Sequence, residues 1–453
     1  VKTTMNNKLT IIGSGLTGPL LSTILAQKYN IKIQMFERSE DSRKLNSFSG
    51  RSINLALSKR GINALKYAGI YDKHFESLLI PMHGRSVHSL NGEVNFQPYS
   101  NKGGHCINSV SRLKINQLLM KHAEKSGAVN INFNMKCQRI DLINKKIYFD
   151  NKVIDIDSTI IGADGYKSVV TKNISEINNQ ELEYINIDHS YKELEIPSKN
   201  NEYQIDPNSL HIWPRRDMMM IALPNLDKSF TCTLFMKSNG ANSFATIDNK
   251  EKVKIFFEKN FNDVLDIIPN LQDDYLNNPT GKLIGLKVPT WNYLDKALII
   301  GDAAHATVPF YGQGMNASFE DCYVLAKLIK NNKSNWNDIF GEFQLKRKSD
   351  ADAILDLSLD NYKVMRNDVL DETHIKKQKL SFLLNNDFPN HFIPLYTMVS
   401  FTTIPYSIAY KRGKIQDHIL SKLLTPDLIH IEQYDKQYAE KLILKYLTKI
   451  KYD

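Results

Sequence analysis

Residues 13–18 read Gly13-Ser14-Gly15-Leu16-Thr17-Gly18, a G-x-G-x-x-G turn set between an apolar run at 8–12 and a helix-like stretch at 17–27. In such a turn Gly13 permits the tight bend, Gly15 lets a pyrophosphate approach the backbone, and Gly18 lets helix and strand pack closely. The start of the helix adds N–H groups and a partial positive charge suited to phosphates. Pro19 falls in its first turn, where a missing N–H costs little. Glu37 closes the next strand-like run, 31–36, about 20 residues on, where an acid accepts ribose hydroxyls. Strand, turn, helix and acid together predict a dinucleotide site. They leave open whether the dinucleotide is a flavin or a nicotinamide.

A second constellation bears on that choice. Gly301-Asp302-Ala303-Ala304-His305 ends a strand-like run at 298–300, and Gly312-Gln313-Gly314-Met315-Asn316 then opens a helix. A third, Gly162-Ala163-Asp164-Gly165 with Ser168 after it, follows the strand-like residues 159–161. These motifs in this order resemble the FAD fingerprints of the class A flavin-dependent aromatic hydroxylases, the family of p-hydroxybenzoate hydroxylase. The resemblance implies bound FAD, with Asp302 on the ribityl chain. Gly314, Met315 and Asn316 would face the pyrimidine side of the isoalloxazine, where negative charge develops on reduction. It also implies NADPH as co-substrate without a Rossmann domain of its own, in keeping with the single G-x-G-x-x-G. The family's arginine after the third motif falls at Thr171 here, so pyridine-nucleotide contacts are not assigned to that segment. Within this motif His305 is structural rather than a base. The Trp-x-Trp-x-Ile-Pro signature of flavin halogenases is absent.

Longer runs narrow the resemblance to the branch of the family that hydroxylates L-kynurenine at ring position 3, over nearly the whole chain. They are Gly50 to Ser58, Ile80 to Arg85, Ser109 to Arg112, Leu210 to Pro214, Phe230 to Phe235, Val308 to Asn316 and Phe392 to Val399. The resemblance implies that Arg85 and Tyr99 hold the substrate carboxylate, which suits a guanidinium fork and a phenol donor. Tyr396 adds a further phenol, and Asn361 a polar group near the substrate. Ile221, Leu223, Phe235, Pro309 and Phe310 line an apolar slot for the ring. Leu16, Thr17, Arg38, Ala56, Arg112 and Cys137 join the glycines, Glu37, Asp164 and Asp302 in holding FAD. An acid that the branch carries near Asn361 is Val364 here, so no role in orienting the substrate amine is assigned to it. The implied chemistry is the flavin's, through a C4a-hydroperoxide that attacks beside the aniline nitrogen, so no catalytic side chain and no metal is expected. A hydroxylase of another aromatic acid, such as kynurenate or salicylate, and a non-catalytic flavin-binding protein are the alternatives.

The elements that must position these residues follow from periodicity and turn signals. Helices are predicted over 57–69, ended by Gly69, and over 113–125; strands over 129–133 and 146–149. A hairpin over 87–96 turns at Asn91-Gly92. From 181 to 282 short β-branched and aromatic runs predict a sheet, interrupted by a helix at 249–261, and helix dominates after 331. The fold class is therefore α/β: a Rossmann-like FAD-binding domain, an inserted mostly antiparallel β-sheet substrate domain, and a C-terminal helical region. The expected boundaries are 1–180 for the FAD-binding domain with a substrate-side hairpin at 81–100, 181–284 for the sheet, 285–330 for the return to the first domain, and 331–453 for the helices.

The 453 residues carry a net charge of +9 and are 42% hydrophobic, with a mean hydropathy of −0.36. That balance argues against a multi-span membrane protein. The lysines are scattered with no basic block, which predicts a solvated surface and no nucleic-acid partner. The four cysteines lie far apart with no C-x-x-C, which gives little support to metal ligation or a disulfide framework and suits reduced thiols. Residues 392–410 are uncharged over about the length of a span, but Pro394 and Pro405 interrupt them, and a buried or half-buried helix pair is predicted instead. No apolar leader or C-terminal anchor is read, so the expectation is a soluble cytoplasmic enzyme, monomeric or homodimeric, whose partners are L-kynurenine, NADPH and dioxygen.

Overall fold

A computed structural model describes residues 7–44, 54–100, 103–331, 335–365, 371–425, 428 and 430–451. The start of the run from Gly50 and the residue Arg366 lie outside these. The chain divides into two units. The first comprises residues 1–79, 110–186 and 284–355, the second 80–109, 187–283 and 356–453.

The first unit is built on a sheet with strands in the order Asn292–Tyr293, Ala297–Ile299, Thr159–Gly162, Lys8–Ile12, Lys32–Phe36 and Val129–Asn132. From Ala297–Ile299 to Val129–Asn132 every pair is parallel. Parallel strands need covered faces, and the central strands Ala297–Ile299, Thr159–Gly162 and Lys8–Ile12 are accordingly almost wholly buried, while Lys32–Phe36 and Val129–Asn132 toward the edge alternate with polar residues. The helices Thr17–Tyr29, Arg112–Lys125 and Gly314–Asn331 contribute Leu20, Ile24, Leu119, Phe319 and Leu325 to the same buried core. The glycine turn is forced by packing: a Cβ on Gly18 would lie 2.2 Å from the carbonyl oxygen of Gly13. Two strands escape a reading by pattern, Cys137–Asp141 and Val153–Asp155, which flank Lys146–Phe149 in a small antiparallel sheet. Only Ile140 of the first is buried and none of the second, so no apolar alternation marks them.

In the second unit the strands Glu183–Ile196, Phe230–Lys237, Met218–Pro224, Ser209–Arg215, Gly84–His88 and Val94–Pro98 lie side by side in that order. All these pairs are antiparallel except Ser209–Arg215 with Gly84–His88. The hairpin turn contains Gly92 at φ +86, as Asn91-Gly92 foretold. One sheet face packs Trp213, Met220, Ala222, Cys232 and Leu234 against Phe257 of the helix Lys250–Asn260 and Tyr275 of Leu271–Asn277.

The C-terminal helices Glu372–Asp387, Tyr406–Leu423 and Lys436–Tyr446 share a core that includes Leu380, Leu384, Ile419 and Ile443. The uncharged segment 392–410 forms the short helix Leu395–Phe401 and the start of Tyr406–Leu423, each opened by a proline at its N-cap. Among the described residues no helix is long and apolar enough to cross a membrane. Parallel sheet, largely antiparallel sheet and helical tail are the fold class expected.

Candidate functional site

Two groups of side chains stand out, one in each unit. In the first unit the Glu37 carboxylate accepts the Ser14 N–H at 2.8 Å and, on its other oxygen, the Ser39 N–H at 2.9 Å. It therefore braces the glycine turn and keeps further lone pairs for ribose hydroxyls. The position of a Cβ on Gly15 is open, with nothing within 4 Å, and Leu16 at the helix N-cap offers no capping side chain to the first N–H groups. The exposed turn and uncapped helix start have the form that a pyrophosphate fills. Arg38 is exposed beyond Glu37. Asn116, which pattern alone does not single out, donates to the carbonyls of both Ser14 and Gly15 at 2.9 Å.

At the other end of this unit the Asp302 side chain is exposed to solvent. Crowding by protein nevertheless raises its carboxyl above the ordinary value, with His305 and Arg112 drawing it back. Asp164 is pushed up to about 6 by burial, against hydrogen bonds from Ser168 and the Val169 N–H. One oxygen accepts that N–H at 2.9 Å, while the other, Oδ1, is buried with no hydrogen bond among the described residues. An orphaned buried acceptor is the vacancy that a ligand donor satisfies. Burial and the Asp164 charge push the Cys137 thiol up to about 12, so it stays protonated. These residues fit FAD as implied.

Asp164 also carries a pH signature. Its folded value, about 6 against an ordinary 3.8, means that the folded chain binds this proton more tightly than the unfolded one. The resulting stability is fully present below about pH 4 and is lost as the pH rises through about 6. Asp164→Asn should therefore raise the Tm of the flavin-free protein at pH 7 and leave it unchanged near pH 4. Equal shifts at both pH values would show that the carboxylate is not paying this penalty.

The Asn316 side chain is buried and fully used, accepting the Ser58 N–H at 2.8 Å and donating to the carbonyls of Ala56 and Gly312. It ties the strand that carries Ala56 to the start of the helix Gly314–Asn331. Thr171, where the family's arginine was expected, is buried and donates to the Ala303 carbonyl at 2.7 Å. His305 is buried against Asp321, Nε2 to Oδ2 2.5 Å, and stacks on Trp291. Pro309 and Phe310 lie in this unit on the short helix Pro309–Tyr311, the first exposed and the second buried.

The second unit brings Arg85, Tyr99 and Tyr396 together. The two phenol rings stack at 4.9 Å and 17°, and the Arg85 guanidinium lies 4.6 Å from the Tyr396 ring centre and 5.9 Å from that of Tyr99. Tyr99 Oη is buried without a hydrogen bond of good geometry among the described residues. Burial and Tyr396 push its phenol well above 10, against the pull of Arg85. It is a neutral donor beside a cation, the pairing that receives a carboxylate. Register shows what surrounds it. Arg85 is opposite Leu210, Ile212 opposite Ile221, Leu223 opposite Thr231 and Met219 opposite Phe235. Because side chains alternate, Arg85, Ile221, Leu223 and Phe235 share the sheet face turned away from the packed core of Trp213 and Leu234. Phe401 closes on Tyr99 and Tyr396 at 5.7 and 5.9 Å, with His105 stacked on it at 4.5 Å. Neither was marked by a motif. Asn361, near the end of the helix Trp336–Lys363, donates to Met365 Sδ at 3.2 Å.

The parallel sheet with its glycine turn defines a dinucleotide-binding fold, and a family model described as FAD binding domain matches residues 7–236 and 289–342. Solved structures give the same fold. A 2-methyl-3-hydroxypyridine-5-carboxylic acid oxygenase matches with a TM-score of 0.64 at 17% identity, covering 83% of this chain and 97% of that one. A tetracycline destructase matches with a TM-score of 0.60 at 18% identity, covering 84% and 98%. Relatives narrow the class: the kynurenine 3-monooxygenase of Dictyostelium discoideum is 41% identical, covering 98% of this chain and 99% of its own. That of Flavobacterium psychrophilum is 40% identical over 97% and 98%, and that of Legionella pneumophila 37% over 98% of each. The chain belongs to the kynurenine 3-monooxygenase family of FAD-dependent hydroxylases.

Proposed function

We propose that this chain binds FAD and uses NADPH and dioxygen to hydroxylate L-kynurenine beside its aniline nitrogen, giving 3-hydroxykynurenine. The observation that carries the reading is the second unit's sheet face, where one cationic fork with a buried phenol adjoins Ile221, Leu223 and Phe235. That face matches an amino acid with a carboxylate at one end and an aromatic ring at the other. The names and coverage of the relatives support the same substrate.

When bound, FAD supplies the reduction by NADPH and the activation of dioxygen. The chain's own residues bind and orient. Glu37, the turn at Gly13, Gly15 and Gly18, and the helix start at Thr17 hold the dinucleotide's phosphate and ribose end. Asp164, Asp302, Arg112 and the backbone of Gly314 to Asn316 hold the flavin end. Arg85 and Tyr99, with Tyr396 behind them, fix the substrate carboxylate, so that the apolar side chains set the ring's position and exclude water. The aniline nitrogen already activates the ring, and no side chain is required as a strong base.

The deciding assay follows NADPH oxidation and 3-hydroxykynurenine together in the yellow holoenzyme, with and without L-kynurenine. L-kynurenine should accelerate NADPH oxidation and yield the hydroxylated product. Neither acceleration nor product would sink the assignment.

A further inference from the structure

The core-facing side of the second unit's sheet carries a polar cluster where Ser209–Arg215 meets Gly84–His88. There Ser86 Oγ donates to Ser209 Oγ at 2.8 Å, and Ser209 Oγ to Asp206 Oδ2 at 2.7 Å. Beside them, His88 Nδ1 faces Asp263 Oδ2 at 3.1 Å, His88 Nε2 faces His211 Nδ1 at 2.9 Å, and His211 Nε2 faces the Asp206 carbonyl at 2.7 Å. Ser86, Ser209, His88 and His211 are buried, and the His88 ring lies on Trp213 at 4.0 Å. Trp213 Nε1 donates to the same Asp263 oxygen at 2.6 Å. Arg215 donates to the carbonyls of His88 and Ser89 at 2.8 and 3.3 Å.

The protons in this chain follow from its two ends. A backbone carbonyl only accepts, so His211 Nε2 carries a hydrogen. Burial pulls the His211 ring down to about 4, so it is neutral and its Nδ1 accepts. His88 Nε2 must therefore donate. At the other end burial favours a neutral Asp263, but His88 and Trp213 overcome it and hold the carboxyl below its usual range. Its oxygens are acceptors only, and His88 Nδ1 must donate as well. The charged and titratable groups around the ring are then Asp263, Asp206, His211 and Arg215, and both ring nitrogens of His88 are committed.

This matters because of what the strand carries on its other side. Arg85 stands three residues before His88, and a slip of one residue against Ser209–Arg215 would turn it from the substrate face into the packed core. On the other face Val87 is buried opposite Ile212, but on the face of His88 apolar packing is thin. The residues opposite His88 and Ser86 on the edge strand, Val94 and Phe96, are 56% and 50% exposed. The pair with Ser209–Arg215 is parallel, the weaker kind. A buried, fully bonded polar chain admits one register only.

We propose that His88 is a positioning residue for Arg85, donating from both ring nitrogens to Asp263 and His211 and so locking the Gly84–His88 strand in the register that presents Arg85 to the substrate carboxylate. The proposal rests on the reading of Arg85 as that carboxylate's anchor. In histidine-15N-labelled holoenzyme at neutral pH, the resonances lost in His88→Gln should show two protonated ring nitrogens, and those lost in His211→Gln should show one. His88→Phe keeps the ring on Trp213 but donates nothing. It should keep FAD and raise the KM for L-kynurenine on the order of tenfold with kcat within about twofold, the worth of a lost buried hydrogen bond. A His88 ring with only one protonated nitrogen, or a His88→Phe enzyme with unaltered KM, overturns the proposal. If Arg85→Ala itself leaves KM unchanged, the anchor reading fails, while the ring-nitrogen spectrum still judges His88 alone.

Discussion

Replacing Arg85 by alanine should raise the KM for L-kynurenine by roughly a hundredfold or more while FAD stays bound. Hydrogen bonds to a charged group contribute about 1.5–3 kcal/mol each, and a guanidinium fork makes two to one carboxylate. Losing both corresponds to roughly two to four powers of ten in affinity. Tyr99 and Tyr396 stay behind as a stacked pair, but neutral phenols do not replace a cation. Arg85→Lys is the informative partner variant. It keeps the charge over the Tyr396 ring but loses the planar fork, and should recover only part of the affinity. The measurement is steady-state kinetics over a range of L-kynurenine, with flavin absorbance after gel filtration as the control. Colourless Arg85→Ala protein would instead place the residue with the cofactor.

The dinucleotide half of the site was legible in the sequence because its parts are local. From Gly13 to Glu37 a single strand–turn–helix–strand unit supplies turn, helix start and acid, and in the structure the Glu37 carboxylate accepts the Ser14 N–H of the turn. The second and third motifs were legible for the same reason, each being a strand end and the turn after it. What escaped reading was long-range. Asn116 braces the glycine turn from about a hundred residues away, and no spacing rule connects the two. Thr171 looked like a lost arginine, yet its hydroxyl reaches the backbone of Ala303, so its use is visible only when two distant strand ends are adjacent. On the substrate side a resemblance named Arg85, Tyr99 and Tyr396, but their stacking and the alignment with Ile221, Leu223 and Phe235 are facts of register. Alternation predicts which residues of one strand share a face; it does not say which strands are neighbours. The parallel pairing of Gly84–His88 with Ser209–Arg215 joins segments more than a hundred residues apart, and it makes this face.

Arg347→Met should destabilise the protein by about 3–5 kcal/mol, the usual cost of taking one partner from a buried ion pair, and should weaken FAD binding through a residue remote in sequence from every motif. Arg347 is buried in the first unit. Its Nε meets Asp321 Oδ1 at 2.7 Å, its Nη1 meets Glu320 Oε2 at 2.7 Å, and Asp350 lies 3.7 Å away. Arg60 holds the other Glu320 oxygen at 2.6 Å. Burial alone would raise both carboxyls, but His305 and Arg347 hold Asp321, and Arg347 and Arg60 hold Glu320, below their usual range. A methionine of similar length fills the space and leaves three carboxylates facing one guanidinium and a histidine. The flavin enters through Asp321, whose second oxygen accepts the Gly301 N–H at 3.1 Å and the His305 ring. Gly301 sits at φ +62, a left-handed conformation that glycine adopts freely, and the next residue is Asp302. Loosening Asp321 therefore loosens the turn that aims Asp302. The pH dependence gives the control. Carboxyls held below their ordinary values stabilise the fold above about pH 4, and that stability is lost as the pH falls through the folded values. The deficit of Arg347→Met should thus be largest at neutral pH and shrink in acid. Denaturant unfolding of the flavin-free proteins at pH 7 and stepwise down to about pH 3, with FAD titrations at pH 7, measures both effects. A deficit that does not change with pH would mean that Arg347 acts by packing rather than by charge.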